Sequence, residues 1–356
     1  MSIDRIFEIP PYSLNQNQKE DLLLEELKEL TKRHKALCPE YGSILNSLGV
    51  DIDSISCISE IPFLPVRLFK EYNLKSVETI SKTMTSSGTT GQQVSKIFLD
   101  KRTSENQTKV LSKIVASFIG GKRLPLLILD SDGINKDRNL FSARGAGIRG
   151  FSIFGRDILF AFDQNMKIKY DEVQAFIEKH KNQNVLLFGF TFIIWQHFYQ
   201  ELMLKNRKLD LSNGILIHGG GWKKLAEQAV DTQSFRAALK SVSGIEDVHD
   251  YYGMVEQTGS IYMECECGYL HASIYSDIII RRPSDFSEAE IGEIGIVQTL
   301  SVIPESYPGH SLLTEDVGTI AGIDSCECGR LGRYFRVNGR LLNAEIRGCS
   351  DTYEAK

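Results

Sequence analysis

Residues 83–96, Thr-Met-Thr-Ser-Ser-Gly-Thr-Thr-Gly-Gln-Gln-Val-Ser-Lys, gather hydroxyls and glycines and close on a lysine. Gly88 and Gly91 let the backbone come close to a ligand and adopt positive φ. Successive N–H groups in such a turn form a nest for anionic oxygens. Thr85, Ser86, Ser87, Thr89 and Thr90 add hydroxyl donors, and Lys96 adds a point charge suited to phosphate. The same composition also fits a solvated loop between strands. It is not a Walker loop, because no lysine follows Gly91 directly.

Three later stretches carry complementary chemistry. In His249–Gly259, Tyr252 beside Gly253 can stack on a base, and Glu256 can hold Mg²⁺ together with phosphate oxygens. A strand-to-loop corner would have the same look. In Thr314–Gly318, Asp316 can accept ribose hydroxyls or simply serve a turn. In Arg336–Arg340, Arg340 can reach ribose or phosphate, or the segment can be a surface hairpin.

Four of the seven cysteines form a repeated Cys-x-Cys-Gly knuckle, Cys265/Cys267 and Cys326/Cys328. Four thiolates on two knuckles suit a closed, tetrahedral, structural Zn²⁺ site, with His271 able to replace one of them. The alternative is free thiols on two hairpins. Cys38, Cys57 and Cys349 stand apart, and the pattern is not that of a disulfide framework.

The elements that must position these groups read as α/β. Leu22, Leu23, Leu27 and Leu30 recur with a helical period over residues 15–36. Pro62 and Pro65 punctuate the entry to a short helix, and the hydroxyl/glycine loop falls between two strands. Leu124–Leu129 is a buried strand, residues 143–155 are glycine-rich and expected to be irregular, and residues 171–181 form a helix. The strand Val185–Phe188 then leads to a helix from about Ile193 to Lys205. The strand Gly214–His218 leads through Gly219–Gly221 into a helix expected to reach about Lys240. Strands alternating with glycine turns and helices indicate a mainly parallel sheet flanked by helices. After residue 265 the strands are expected to shorten, with Asp277–Ile280 and Ile294–Thr299 the clearest. The expected organisation is an α/β core over 1–265, a β-rich subdomain over 266–345 and a terminal segment over 346–356.

The chain has 356 residues, 42% hydrophobic and 24% charged, with a net charge of −5. It can bury a large core, and its charge gives no reason to expect nucleic acid. No apolar run approaches the roughly 18 residues of a membrane span. Met1-Ser-Ile-Asp-Arg is not a secretory signal, so the expected location is cytoplasmic.

Taken in order, the phosphate-type loop, Tyr-Gly-x-x-Glu, the Asp and the Gly-Arg resemble the nucleotide loops of acyl-adenylate-forming enzymes. The likeness is to the acyl-protein synthetase (LuxE) branch, related to phenylacetate–CoA ligases. It rests on Leu64–Lys70, Thr85–Gln92, His218–Lys224, Tyr252–Gly259 and Ile346–Asp351. The resemblance implies that a fatty acid carboxylate attacks the α-phosphate of Mg·ATP to give acyl-AMP. Thr85–Gly91 and Lys96 would then hold phosphates, Glu256 the Mg²⁺, Tyr252 and Gly253 the adenine, and Asp316 the ribose. Arg340 would sit near ribose or phosphate. Phe188, Gly189, Phe190, Gly220, Gly221 and Trp222 would line the acyl pocket. Cys349 would accept the acyl group as a thioester, with Arg347 favouring its thiolate, and pass it to a reductase partner that makes aldehyde, as for a luciferase. A lone cysteine is otherwise an inert small hydrophobe. The chain stops at Lys356, about where the C-terminal lid of that superfamily begins, so the lid is expected to be absent. The alternatives are an acyl- or aryl-CoA ligase of the phenylacetate type and a non-catalytic subunit of a reductase complex.

Overall fold

Asn15 starts the first long helix, Gln16–Leu37, in a computed structural model that describes residues 3–86, 93–135, 143–222 and 227–341. Its side chain accepts from the Gln18 N–H at 3.0 Å, and Gln18 Oε1 accepts from the Asn15 N–H at 3.2 Å. This capping box satisfies two otherwise orphaned donors. Leu23, Leu27 and Leu30 form the buried stripe that the helical period marks.

By packing, the chain divides into two compact units: Met1–Ser117 with Gly253–Glu345, and Phe118–Tyr252 with Ile346–Lys356. These bounds differ from the 1–265, 266–345 and 346–356 segments expected from the sequence. The first unit is discontinuous, because its N-terminal helix packs on strands that arrive after residue 253.

Early in the first unit lie β1 (Leu64–Pro65), β2 (Lys82–Thr85) and β3 (Lys96–Leu99). The short helix expected after Pro65 is Leu68–Glu71. A helix at Lys101–Ile119, absent from the sequence reading, follows β3. Asp100 Oδ1 accepts from the Thr103 N–H at 2.8 Å near its start.

The second unit holds β4 (Leu124–Ser131), β5 (Gly155–Phe162), β6 (Val185–Phe190), β7 (Gly214–Gly219) and β8 (Asp247–Tyr252). They pair in the order β5-β4-β6-β7-β8, every pair parallel. Chain order reverses direction at β4, which makes the β4/β6 ends a topological switch point. Every residue of β6 and β7 is buried, as in a parallel sheet covered on both faces. Three expectations change here. Residues 143–152 are a helix, Ala143–Ser152, not an irregular stretch. The helix after β6 contains a π-helical segment, Ile194–Tyr199. Among the described residues, the regular helix after β7 is Thr232–Ser243, capped by Asp231, so it begins later than expected.

The first unit resumes with β9 (Tyr262–Glu264), β10 (Leu270–His271), β11 (Ser276–Arg281), β12 (Gly295–Ser301), β13 (Ser311–Ile323) and β14 (Arg333–Arg340). Their order is β11-β12-β13-β14-β10-β9, antiparallel throughout, with β1 added parallel to β13. At 13 residues, β13 is no short strand. It carries Asp316, which pairs with Arg340 of β14 beside a bulge opposite β12, so the turn alternative at Thr314–Gly318 is overruled by strand pairing.

A buried charge network fastens the first helix to this sheet. Lys19 Nζ lies 3.1 Å from Asp277 Oδ1, with the two side chains 1% and 0% exposed. Arg333 Nη1 and Gln16 Nε2 donate to the other Asp277 oxygen at 3.1 and 2.7 Å. Burial alone would raise the Asp277 pKa, but the Lys19 and Arg333 charges hold it below the ordinary carboxylate value. Among the described residues, no helix is long and apolar enough to cross a membrane.

Candidate active site and knuckle cluster

The root of the hydroxyl/glycine loop is a hairpin. β2 and β3 pair antiparallel with Thr85 directly opposite Lys96. One step out, the Ser86 N–H donates to Ser95 O at 3.1 Å, and Ser86 Oγ accepts from the Ser95 N–H at 2.9 Å. The chain thus leaves and re-enters at one point, with an exposed lysine and three hydroxyl residues, Thr85, Ser86 and Ser95, at the neck. Ser87, Gly88, Thr89, Thr90 and Gly91 lie outside the described residues.

Glu256 sits on a short turn, Val255–Gln257, and is 2% exposed. Tyr307 donates its hydroxyl to the Glu256 carbonyl at 2.8 Å. Gly309 makes this possible, because a Cβ there would lie 2.2 Å from the Tyr307 ring and 2.9 Å from the same carbonyl. Gln257 Nε2 fixes the turn from the other side, donating to Gly309 O at 2.8 Å and Thr299 O at 3.2 Å.

Asp316 and Arg340 are the candidates that the structure brings together. They face each other across β13 and β14. Arg340 Nε lies 3.3 Å from Asp316 Oδ1, and Arg340 Nη2 lies 2.9 Å from Glu315 Oε2. Thr314 Oγ1 accepts from the Asp316 N–H at 3.0 Å and donates to Val297 O at 2.8 Å, which sets the strand edge beneath the pair. Arg340 is therefore strand-borne, not on a hairpin turn. The sequence reading did not include Glu315; strand register alone reveals it.

In the second unit, Tyr252 is the last residue of β8 and is half-buried. The acyl-pocket candidates cluster around aromatic rings at the carboxyl ends of β6 and β7. Phe151 stacks on Phe188, with centroids 4.2 Å apart, and lies 5.3 Å from Tyr251. Phe190 stands edge-on to Phe188 at 5.8 Å. Glycines admit these rings: a Cβ on Gly220, whose φ is +87°, would meet Phe190 at 2.8 Å, and one on Gly219 would meet Tyr251 at 2.6 Å. Trp222 packs edge-on against Trp195 at 5.2 Å, and Phe235 approaches Trp222 at 6.0 Å. Phe151, Trp195, Phe235 and Tyr251 were not identified from the sequence; their helical and strand spacing reads equally well as core.

Two polar pairs stand at the same strand ends. His218 Nδ1 lies 2.9 Å from Thr191 Oγ1, and burial, helped by Arg236, lowers its pKa to about 3, so it is neutral. Asp130, at the end of β4, accepts from Arg144 Nε at 2.7 Å, and both are buried. Desolvation raises the Asp130 pKa against the lowering effect of Arg144.

The knuckle cysteines meet in the first unit. One ligand atom from each of Cys265, His271, Cys326 and Cys328 falls within a 4.8 Å group. Cys267, expected among the ligands, is not in that group, and His271 takes its place. Both knuckles make the same turn: the Gly268 N–H donates to Cys265 O at 2.9 Å and the Gly329 N–H to Cys326 O at 3.0 Å. The two glycines have φ of +79° and +78°. Cys349 lies outside the described residues.

The fold is that of an acyl-adenylate-forming ligase. It superposes on an open conformation of 2-hydroxyisobutyryl-CoA ligase in complex with 2-HIB-AMP and CoA with a TM-score of 0.67 at 13% identity, covering 94% of this chain and 80% of that one. The thioesterification state of that ligase gives 0.69 at 12% identity, over 93% of this chain and 70% of the other. The chain belongs to the family of acyl-protein synthetases, LuxE, which it matches over residues 2–356. It is accordingly a ligase. It is 23% identical to the long-chain-fatty-acid–luciferin-component ligase of Aliivibrio fischeri, over 90% of this chain and 85% of that protein. The enzyme of the same name from Vibrio harveyi is 21% identical, over 92% of this chain and 88% of that one.

Proposed function

We propose that this protein activates a long-chain fatty acid with Mg·ATP and transfers the acyl group to its own Cys349. The geometric observation that carries the reading is the hairpin neck, where Thr85 and Lys96 face each other at the root of a hydroxyl/glycine loop. A cation and hydroxyl donors at such a root suit the phosphates of ATP. Asp316 and Arg340, held opposite one another, suit a ribose whose hydroxyls donate to the carboxylate while the guanidinium neutralises nearby phosphate. Tyr252 and Gly253 supply the face for adenine. The aromatic wall of Phe188 and Phe190, with Gly189, Gly220, Gly221 and Trp222, suits an alkyl chain.

The chemistry is mainly positioning and charge neutralisation. The carboxylate oxygen attacks the α-phosphorus, the bond to the β-phosphate oxygen breaks, and pyrophosphate leaves. The Cys349 thiolate then attacks the acyl carbonyl, and AMP departs with the electron pair of the broken C–O bond. Glu256, a buried oxygen donor, fits a hard cation such as Mg²⁺, which would offset phosphate charge. The thioester is a substrate for an acyl reductase that releases aldehyde, in luminous cells for a luciferase; the setting is cytoplasmic. A structural Zn²⁺ on the knuckle residues belongs to the same reading.

Intact-protein mass after incubation with Mg·ATP and fatty acids of graded length tests this. One acyl group is expected on wild type, released by neutral hydroxylamine and absent from Cys349→Ser. Pyrophosphate exchange without acylation would move the acceptor to CoA, as in a phenylacetate-type ligase. Absence of both would leave a non-catalytic subunit of a reductase complex.

A further inference from the structure

We infer that the two Cys-x-Cys-Gly knuckles hold a Cys₃His zinc ion through Cys265, His271, Cys326 and Cys328, and that Cys267 is excluded and left as an uncoordinated thiol. This deepens the structural-zinc part of the reading above. The first argument is metric. Tetrahedral zinc with Zn–S of about 2.3 Å and Zn–N of about 2.0–2.1 Å requires S···S edges of about 3.8 Å and S···N edges of about 3.5 Å. Cys265 Sγ and Cys326 Sγ are 3.8 Å apart, and Cys328 Sγ is 3.4 Å from His271 Nε2. Two of the six edges thus stand at coordination-shell separations, and all four ligand atoms lie within 4.8 Å of one another.

The second argument is why the repeat is asymmetric. Both knuckles turn alike, yet the second supplies both of its cysteines and the first only one. His271 lies on β10, paired with Met263 of β9 and Tyr334 of β14. That position fixes the imidazole from both sides, with the Tyr334 ring stacked on it at 5.6 Å. It is 0% exposed. With the imidazole in the fourth place, no position remains for Cys267, which is half-buried.

The third argument is charge. Three thiolates, a neutral imidazole and Zn²⁺ sum to −1. Arg330 interacts with Cys328 and forms an ion pair with Glu266 at 2.8 Å. Its guanidinium also lies 5.9 Å from the centre of the Tyr12 ring, and that ring meets His271 edge-on. Sulfur and imidazole donors select a borderline-soft ion over Mg²⁺ or Ca²⁺. Four protein ligands leave no open position, so the ion ties the β9–β10 and β13–β14 turns together and takes no part in catalysis.

Zinc K-edge absorption on the wild-type protein tests the donor set without any variant. The expected first shell is three sulfurs and one nitrogen; a shell of four sulfurs would overturn the assignment while leaving structural zinc intact. Zinc content of purified variants gives the second readout. Cys267→Ser should retain one zinc per chain, Cys326→Ser should lose it, and His271→Ala should lose at least tenfold in affinity, with His271→Cys restoring it. Alkylation of the native holoprotein should modify Cys267 and spare Cys265, Cys326 and Cys328 until zinc is chelated. Loss of zinc from Cys267→Ser with retention in His271→Ala would refute the inference. Wild type that neither contains nor takes up zinc would sink both the inference and the structural-zinc reading, while acylation of Cys349 could still proceed and would be scored separately.

Discussion

In the unit built on β4–β8, the central strands β6 and β7 are buried along their whole length, and most of what packs there is aliphatic or aromatic. In the unit built on β9–β14, the interior holds Lys19, Asp277 and Arg333, the stacked imidazoles of His34 and His310, and three cysteines beside His271. The parallel sheet gets most of its cohesion from apolar area and from glycines that let rings lie against backbone, alongside the buried Asp130–Arg144 pair. The antiparallel unit, whose parts come from both ends of the chain, is cross-linked by specific polar and ionic contacts. Such contacts add little net stability over apolar packing, but breaking one leaves a buried charge uncompensated. The two units should therefore fail differently.

The largest contrast should come from Asp277→Ala, which strands Lys19 and Arg333. A loss of about 3–5 kcal/mol in the first unit is expected, read by denaturant unfolding with a tryptophan probe from the second unit, where Trp195 and Trp222 lie, to separate the transitions. If both transitions shift together, the units are not independently cross-linked.

Acid should discriminate next. Burial lowers the His34 pKa to about 3 and puts His310 well below its usual value. Both are neutral when folded, whereas the unfolded chain takes up their protons below about pH 6.5. Their contribution is thus complete above pH 6.5 and falls as pH drops from there towards 3. At pH 5.5 the pair should cost about 3 kcal/mol relative to pH 7.5. His218 adds a like but smaller burden to the other unit, being one residue instead of two. Chemical denaturation at several pH values checks this, and stability independent of pH across 5.5–7.5 would contradict it.

Gly219→Ala should cost about 1–3 kcal/mol by overpacking against Tyr251, and the loss should be confined to the second unit. The smallest stability effect belongs to Arg340→Gln, an exposed residue whose ion pairs with Glu315 and Asp316 lie near the surface, with under about 1 kcal/mol expected. Its consequence should instead appear as pyrophosphate exchange weakened by about tenfold or more, the scale of one charge-assisted hydrogen bond. Unchanged exchange would remove Arg340 from the nucleotide site.

Much of this was legible in the sequence because local and tertiary demands agree. The Leu23, Leu27 and Leu30 stripe specifies its helix before any partner arrives, and the Asn15 cap, found only in the structure, agrees with it. The helix at Ala143–Ser152 was hidden because its glycines look like loop residues. Gly147 in fact clears space for Phe190, whose ring would lie 3.0 Å from a Cβ there. Asp316-Val-Gly reads as a turn locally, and only the ladders on both sides of β13 make it strand. The repeated knuckles foreshadowed a cysteine cluster, but spacing could not tell that His271, not Cys267, joins Cys265, Cys326 and Cys328. That choice depends on how β10 pairs with two neighbours.

The first unit's discontinuity also orders events in time. The second unit is continuous over Phe118–Tyr252 among the described residues, and it can close its own sheet while the rest of the chain is still being made. Lys19 must wait for Asp277, 258 positions downstream, and β1 for β13. Until then the apolar stripe of Gln16–Leu37 has no sheet to cover. Synthesis therefore passes through a stage in which this helix precedes the strands it packs on, and the long loop from Lys19 to Asp277 closes only once Asp277 has been made.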